Sequence, residues 1–171
     1  MKLKRPLMRL LGLRVWDMVS ITRKLKLLGY SKLLGLQNPV SIHSHVMITA
    51  HHEAAGGGKI DIGRNCVFND NVNIDITGVV HIGDRVLLAE DVIVYTHSHK
   101  IPNLPKEHTA QSNLTIGDDV FIGARAIILS SCHFIGKNAR IGAGAVVTKD
   151  IPENAIAVGV PAKVVKYLDY K

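Results

Sequence analysis

Two histidines one residue apart, His97 and His99, close the run Val86-Leu-Leu-Ala-Glu-Asp-Val-Ile-Val-Tyr-Thr-His-Ser-His. An imidazole with its ordinary pKa near 6.5 is mostly neutral at physiological pH and can accept a proton there, so either ring suits general-base work. Histidines at i and i+2 on a strand end also point the same way and could ligate a metal ion. His43, His45, His51, His52, His81, His108 and His133 would supply further ligands. A third candidate is Asp75, just before Thr77-Gly78, where a carboxylate could orient a histidine, hold a hydroxyl of a bound molecule or simply cap a turn. The two cysteines, Cys66 and Cys132, form no CxxC and no disulfide scaffold, and they suit a reducing compartment.

What must position these residues is a repeat. Aliphatic or Phe residues recur six apart at Ile62, Phe68, Ile74, then Ile82, Leu88, Val94, then Ile116, Ile122, Ile128, then Ile135, Ile141, Val147. A small residue often follows at once, as at Gly63, Gly83, Ala89, Gly117, Gly123, Gly136 and Gly142. Four residues after each start comes Cys66, Val72, Val86, Val92, Val120, Ala126, Ala139 or Ala145, and Ile42, Val46 and Ile48 mark a ragged beginning. Six residues are too few for a helical hairpin and match one short strand plus a corner. Three such strands close a triangular coil, its aliphatics stack inward in ladders, and the small residue lets the chain turn. The expectation is an all-β prism with parallel sheets on three faces, too narrow inside for many rings, in keeping with 5% aromatics.

The period breaks in three places. Ile74 to Ile82 is eight residues, Ile128 to Ile135 is seven, and Val94 to Ile116 is 22. The last break carries Tyr95, Thr96, His97, Ser98, His99, Pro102, Pro105, Glu107 and His108, and it reads as a polar loop extruded over about 95–114. Long polar loops on a rigid scaffold commonly carry function.

Length and charge bound the rest. The 171 residues allow one domain plus an appendage, and 47% hydrophobic with 20% charged residues argues against intrinsic disorder. The net charge of +7 is lopsided: residues 1–36 hold nine Lys and Arg against Asp17 alone, +8, which leaves −1 for the body. A neutral body argues against nucleic-acid binding. The basic segment, with Leu7, Leu10, Leu11, Val15, Trp16, Leu27 and Leu28 among its cations, has helical spacing. It reads as a helical cap on protein or as an amphipathic anchor on an anionic membrane surface. Arg9, Arg14, Asp17 and Arg23 interrupt its apolar run, which argues against a transmembrane helix or a signal-peptide core. The chain thus divides into a basic segment 1–36, a repeat domain 37–166 and a tail 167–171.

The run Ile116-Gly-Asp-Asp-Val-Phe-Ile-Gly-Ala-Arg-Ala, followed by Ile141-Gly-Ala-Gly-Ala-Val-Val-Thr-Lys-Asp-Ile-Pro and Val158-Gly-Val-Pro-Ala-Lys, resembles the left-handed β-helix hexapeptide acyltransferases. The likeness spans about residues 60–166 and is strongest to the galactoside and maltose acetyltransferase branch and the sugar O-acetyltransferases of polysaccharide synthesis. The left hand is implied by the resemblance alone, since parallel crossovers are otherwise right-handed.

The resemblance implies direct acetyl transfer from acetyl-CoA in a ternary complex, onto a sugar hydroxyl of a saccharide or glycolipid precursor. A histidine at the start of the extruded loop is the general base, and ungapped matching places it at His99, with His97 as alternative. Asn69 matches an asparagine that binds the acceptor sugar; Asp75 could assist, although Thr77 stands where the galactoside branch has an aspartate. For the donor, the resemblance implies a groove between subunits of a homotrimer. Ala124 and Ala143 would meet the pantetheine beside Phe121, Thr148 and Lys149 the adenine and phosphates, and Lys163 and Lys166 the 3′-phosphate end. Cytoplasmic location follows, with residues 1–36 as a possible contact to the inner membrane. No metal is expected, because the H-x4-H spacing of the γ-type carbonic anhydrases on this prism is missing. N-acetylation of an amino sugar, acetylation of a xenobiotic, and a non-catalytic trimeric scaffold are the alternatives.

Overall fold

The computed structural model describes residues 40–50, 58–99 and 109–169. The basic segment 1–36, with its expected helices, lies outside the described residues. What is described is all β, wound through three parallel sheets in strict rotation. Sheet 1 holds β1 (Ser41–Ile42), β4 (Val67–Phe68), β7 (Leu87–Leu88), β12 (Phe121–Ile122), β15 (Arg140–Ile141) and β17 (Ala155–Val158). Sheet 2 holds β2 (Met47–Thr49), β5 (Asn73–Asp75), β8 (Ile93–Val94), β13 (Ile127–Ile128) and β16 (Val146–Val147). Sheet 3 holds β3 (Lys59–Ile62), β6 (Val79–Ile82), β11 (Leu114–Ile116) and β14 (Phe134–Ile135), extended by a bridge from Ile135 to Ile151. The last strand, β18 (Lys163–Tyr167), folds back antiparallel on β17.

The six-residue ladders stand in register. Ile62, Ile82, Ile116 and Ile135 stack on sheet 3. Phe68, Leu88, Ile122 and Ile141 stack on sheet 1, and Ile74, Val94, Ile128 and Val147 on sheet 2. The second set, from Cys66 and Val72 to Ala139 and Ala145, is buried beside them, so each coil contributes two inward residues per face. Burying these side chains against the coils above and below is what holds a strand of only two residues in place.

The small residue after each aliphatic acts differently from the expectation. The corner is turned two residues later, by Asn65, Arg85, Asp91, Asp119, Arg125 and Asn138, all at φ near +60°. Asn and Asp tolerate this left-handed conformation better than other side chains. The glycine serves close approach instead: a Cβ on Gly83 would lie 2.8 Å from the Asp118 amide nitrogen of the next coil. Gly144, at φ +68°, combines the corner role with open space around it.

The outward faces differ. Sheet 1 presents Ser41, Val67, Leu87, Phe121, Arg140 and Ile156 in one row, and sheet 2 presents Met47, Asn73, Ile93, Ile127 and Val146. Sheet 3 presents Asp61, His81, Thr115 and Phe134, with Lys59 ion-paired to Asp61 and His81 Nδ1 3.0 Å from the same carboxylate.

Candidate active site

The two largest breaks in the period fall on the same edge of the prism, between sheets 2 and 3. In one coil the eight-residue interval makes the corner Asp75-Ile76-Thr77-Gly78. In the next coil the chain leaves the prism after Val94, and Ile74 pairs with Val94, so the corner lies directly against the departure point. The excursion starts and returns as an antiparallel pair, β9 (His97–His99) with β10 (Thr109–Gln111), in the register His97 to Gln111, Ser98 to Ala110 and His99 to Thr109.

Asp75 organises this junction. Its Oδ1 accepts from the Thr77 amide at 3.0 Å and the Thr77 hydroxyl at 2.6 Å, an Asx-type cap of the corner. Its Oδ2 accepts from the Thr96 amide at 2.8 Å and faces His97 Nδ1 at 2.6 Å. The Thr96 hydroxyl lies 3.0 Å from both the Asp75 carboxylate and its carbonyl, and accepts from the Gly78 amide at 2.9 Å. Burial alone would raise the pKa of Asp75, but the donors from Thr77, His97 and Thr96 outweigh it and hold the carboxyl down at about 2. The carboxylate is therefore ionised at any working pH. With its Nδ1 turned to that charge, a neutral His97 keeps its hydrogen on Nδ1.

The other end of the excursion is tied in at the same place. The Ser112 amide donates to the Thr96 carbonyl at 2.8 Å, and the Val79 amide to Asn113 Oδ1 at 3.0 Å. Gly78 has to be glycine, because a Cβ there would sit 2.0 Å from the Ser112 carbonyl oxygen.

The remaining candidates are distributed around the prism. The His99 backbone is fixed by pairing with Thr109, and its side chain lies outside the described residues. Asn69 is on the other edge of sheet 2, where its amide donates to Glu90 Oε1 at 3.1 Å, so the structure does not bring it to Asp75. Ala124 and Ala143 lie above it on that same edge, joined by a Gly144 to Ala124 backbone hydrogen bond of 2.8 Å. Thr148 and Lys149 are on the excursion's edge, with the Thr148 carbonyl taking the Ser131 hydroxyl at 2.9 Å. Phe121 stands 38% exposed on the outer face of sheet 1, and Lys163 and Lys166 lie exposed on β18. Both cysteines are buried, with Cys132 pushed up to about 12 by burial, so neither thiol resembles a nucleophile. Among the described residues no group of three or more His, Cys, Asp or Glu is arranged to hold a metal ion.

Sequence reasoning named Thr77 and Thr96 but missed that both bind Asp75. The signal was present: Asp75 is one residue past Ile74 and Thr96 two past Val94, so stacked ladders alone place them together.

A three-sided coil of six-residue turns, interrupted once by a polar excursion rooted on a buried carboxylate, defines the class of hexapeptide-repeat proteins. Residues 113–149 match the family described as bacterial transferase hexapeptide, six repeats. The chain is similar to the galactoside O-acetyltransferase of Escherichia coli K12, 39% identical over 66% of this chain and 56% of that one. Among solved structures, a maltose O-acetyltransferase from Clostridium difficile 630 is 31% identical over 97% of this chain and 84% of that one, with a TM-score of 0.74. A hexapeptide-repeat acetyltransferase from Vibrio cholerae O1 biovar eltor, complexed with acetyl coenzyme A, is 26% identical over 82% and 74%, with a TM-score of 0.68. The matched segment spans little more than half the length of the curated relatives. The chain belongs to the hexapeptide-repeat acetyltransferase family.

Proposed function

We propose that this protein transfers an acetyl group from acetyl-CoA to a sugar hydroxyl of a saccharide or glycolipid precursor, within a ternary complex. The observation that carries the reading is the likeness to a maltose O-acetyltransferase over 97% of this chain and 84% of that one. His99 takes the proton of the acceptor hydroxyl as its oxygen attacks the thioester carbonyl. The new bond is oxygen to acetyl carbon, the carbon–sulfur bond breaks, and the proton passes on to the CoA sulfur. Asp75 and His97 support the loop from which His99 acts, and Asn69 binds the acceptor.

The coil is left-handed, as in the family, and the working unit is a homotrimer. Two observations support the trimer. The residues matched to the donor divide between both edges of sheet 2, the face of sheet 1 and β18, so one chain does not gather them. The outer rows of sheets 1 and 2 are mostly apolar, broken by Ser41, Arg140 and Asn73, where that of sheet 3 is polar apart from Phe134, as expected if the first two are covered by neighbouring subunits. Ala124 and Ala143 would let the pantetheine approach the backbone, Phe121 would pack beside it, and Thr148, Lys149, Lys163 and Lys166 would meet the adenine and phosphates.

The test is thiol release from acetyl-CoA with sugars, amino sugars, nucleotide sugars and lipid-linked glycans as acceptors. Acceptor-dependent release is expected, falling by about 10²- to 10⁴-fold in His99→Ala. Release that survives this substitution shifts the base to His97, and a preference for amino sugars makes the reaction N-acetylation. Silence with every acceptor, together with no binding of acetyl-CoA, leaves a scaffold. We also propose that the enzyme is cytoplasmic and that residues 1–36 rest on an anionic membrane surface. The full chain is then expected to float with anionic vesicles and a chain lacking 1–36 to stay in solution; equal partition refutes the contact.

A further inference from the structure

We infer that His97 is a positioning residue for this transfer: pinned to Asp75, it fixes the first residue of β9 and so the backbone from which His99, two residues on, must work. The inference rests on the acyl-transfer reading above and adds a role for a second histidine. Three observations carry it.

First, the core is apolar except at this spot. Asp75, Thr77 and Thr96, at 1%, 2% and 0% exposure, are the buried polar side chains among the described residues, and all three belong to the one junction. The later corners on the same edge turn without a buried acid: Leu129-Ser130-Ser131-Cys132 closes with a Cys132 to Leu129 backbone bond, and at Thr148-Lys149-Asp150 the acid is exposed. Turning the chain therefore does not require Asp75, whereas rooting the excursion does.

Second, the junction grips both arms of the excursion. Thr96 and His97 bind Asp75 on the way out, and Ser112 binds Thr96 on the way back. The pairing of β9 with β10 begins at His97 opposite Gln111, so a displacement of His97 is passed directly to Ser98 and His99. Third, the His97 side chain is only 12% exposed, with Nδ1 committed to the carboxylate at 2.6 Å. That is a ring held in place by the junction. A catalytic group misplaced by about 1 Å loses on the order of 10²-fold in rate.

The experiment compares His97→Ala, His97→Asn and His99→Ala with the parent, using thiol release from acetyl-CoA with the best acceptor of the panel, over pH 5 to 9. Asparagine keeps an N–H donor close to the place of Nδ1 but cannot serve as a base. His97→Ala is expected to lower kcat by about 10²-fold, with the KM for acetyl-CoA within about twofold and the pH limb of the base retained. His97→Asn is expected to recover most of that loss. The inference is overturned if His97→Asn is as inactive as His97→Ala, and loss of the acid-side limb as well makes His97 the base itself. It is equally overturned if His97→Ala turns over normally, or if both variants lose kcat only in proportion to lost folded protein. A parent silent with every acceptor refutes the acyl-transfer reading and takes this role with it, an outcome distinct from an active parent with unresponsive variants.

Discussion

Replacing Asp75 with alanine is expected to lower the stability of the protein by about 3 kcal/mol at pH 7, because the donors it leaves behind have no water to turn to. The Thr77 amide and hydroxyl, the Thr96 amide and His97 Nδ1 all point at one carboxylate that is 1% exposed. For a chain of this size such a loss lowers Tm by about 6 to 12 °C. Asparagine is the milder change: its carbonyl can still cap Thr77, but its NH2 faces two donors unless His97 switches tautomer. The acid response separates charge from shape. Folding lowers the carboxyl from the ordinary 3.8 to about 2. A depressed carboxylate stabilises the fold above its unfolded pKa, and that contribution drains away as pH falls from about 4 through 2. The difference corresponds to about 2 kcal/mol. Urea denaturation at pH 7, 4 and 2.5 should therefore show the parent losing this increment and Asp75→Asn lacking that component. Identical acid profiles for the two would mean that the carboxylate is not held by its partners.

The ladders were legible in the sequence because a six-residue period leaves no freedom. Once Ile62, Phe68 and Ile74 face inward, Ile82, Leu88 and Val94 must sit on them, and they do. The corners were read less well. Glycine drew attention as the turning residue, yet the left-handed position two residues later is held by Asn65, Arg85, Asp119 and Arg125. Arginine is an unexpected occupant there, and its compensation is visible only in three dimensions: Arg85 forks onto Asp119 at 2.6 and 2.7 Å, and Arg125 reaches Asp91. These contacts join successive coils, so no local window of sequence contains them.

The site was legible in parts for the same reason. His97, His99 and Asp75 stand out by type, and the breaks in the period say that their segments are special. That Asp75 meets His97 follows only when both breaks are assigned to one edge. That Asn69 does not join them follows from counting faces: it precedes β5 where Asp75 ends it, so the width of sheet 2 lies between them.

Phe68→Ala is expected to cost about 3 to 5 kcal/mol, and to cost it locally. Phe68 is the largest side chain fully buried in the described core, stacked between Ile42 and Leu88; Phe121 and Phe134 both lie on outer faces. A prism this narrow cannot collapse around the missing ring, because its walls are fixed by hydrogen bonds from coil to coil, so the cavity persists. In a stacked solenoid each coil contacts only its neighbours, and a defect weakens the adjoining interfaces rather than the whole stack equally. Hydrogen exchange should then speed up first in β1, β2, β4 and β5, while β12, β13, β15 and β16 retain their protection. Since β5 ends in Asp75, the junction that holds His97 should loosen with the same coils, and acetyl transfer should fall before the bulk of the strand signal is lost. A penalty under about 1 kcal/mol, or protection lost to the same degree from β1 to β17, would refute the picture of a rigid prism whose stability is divided coil by coil.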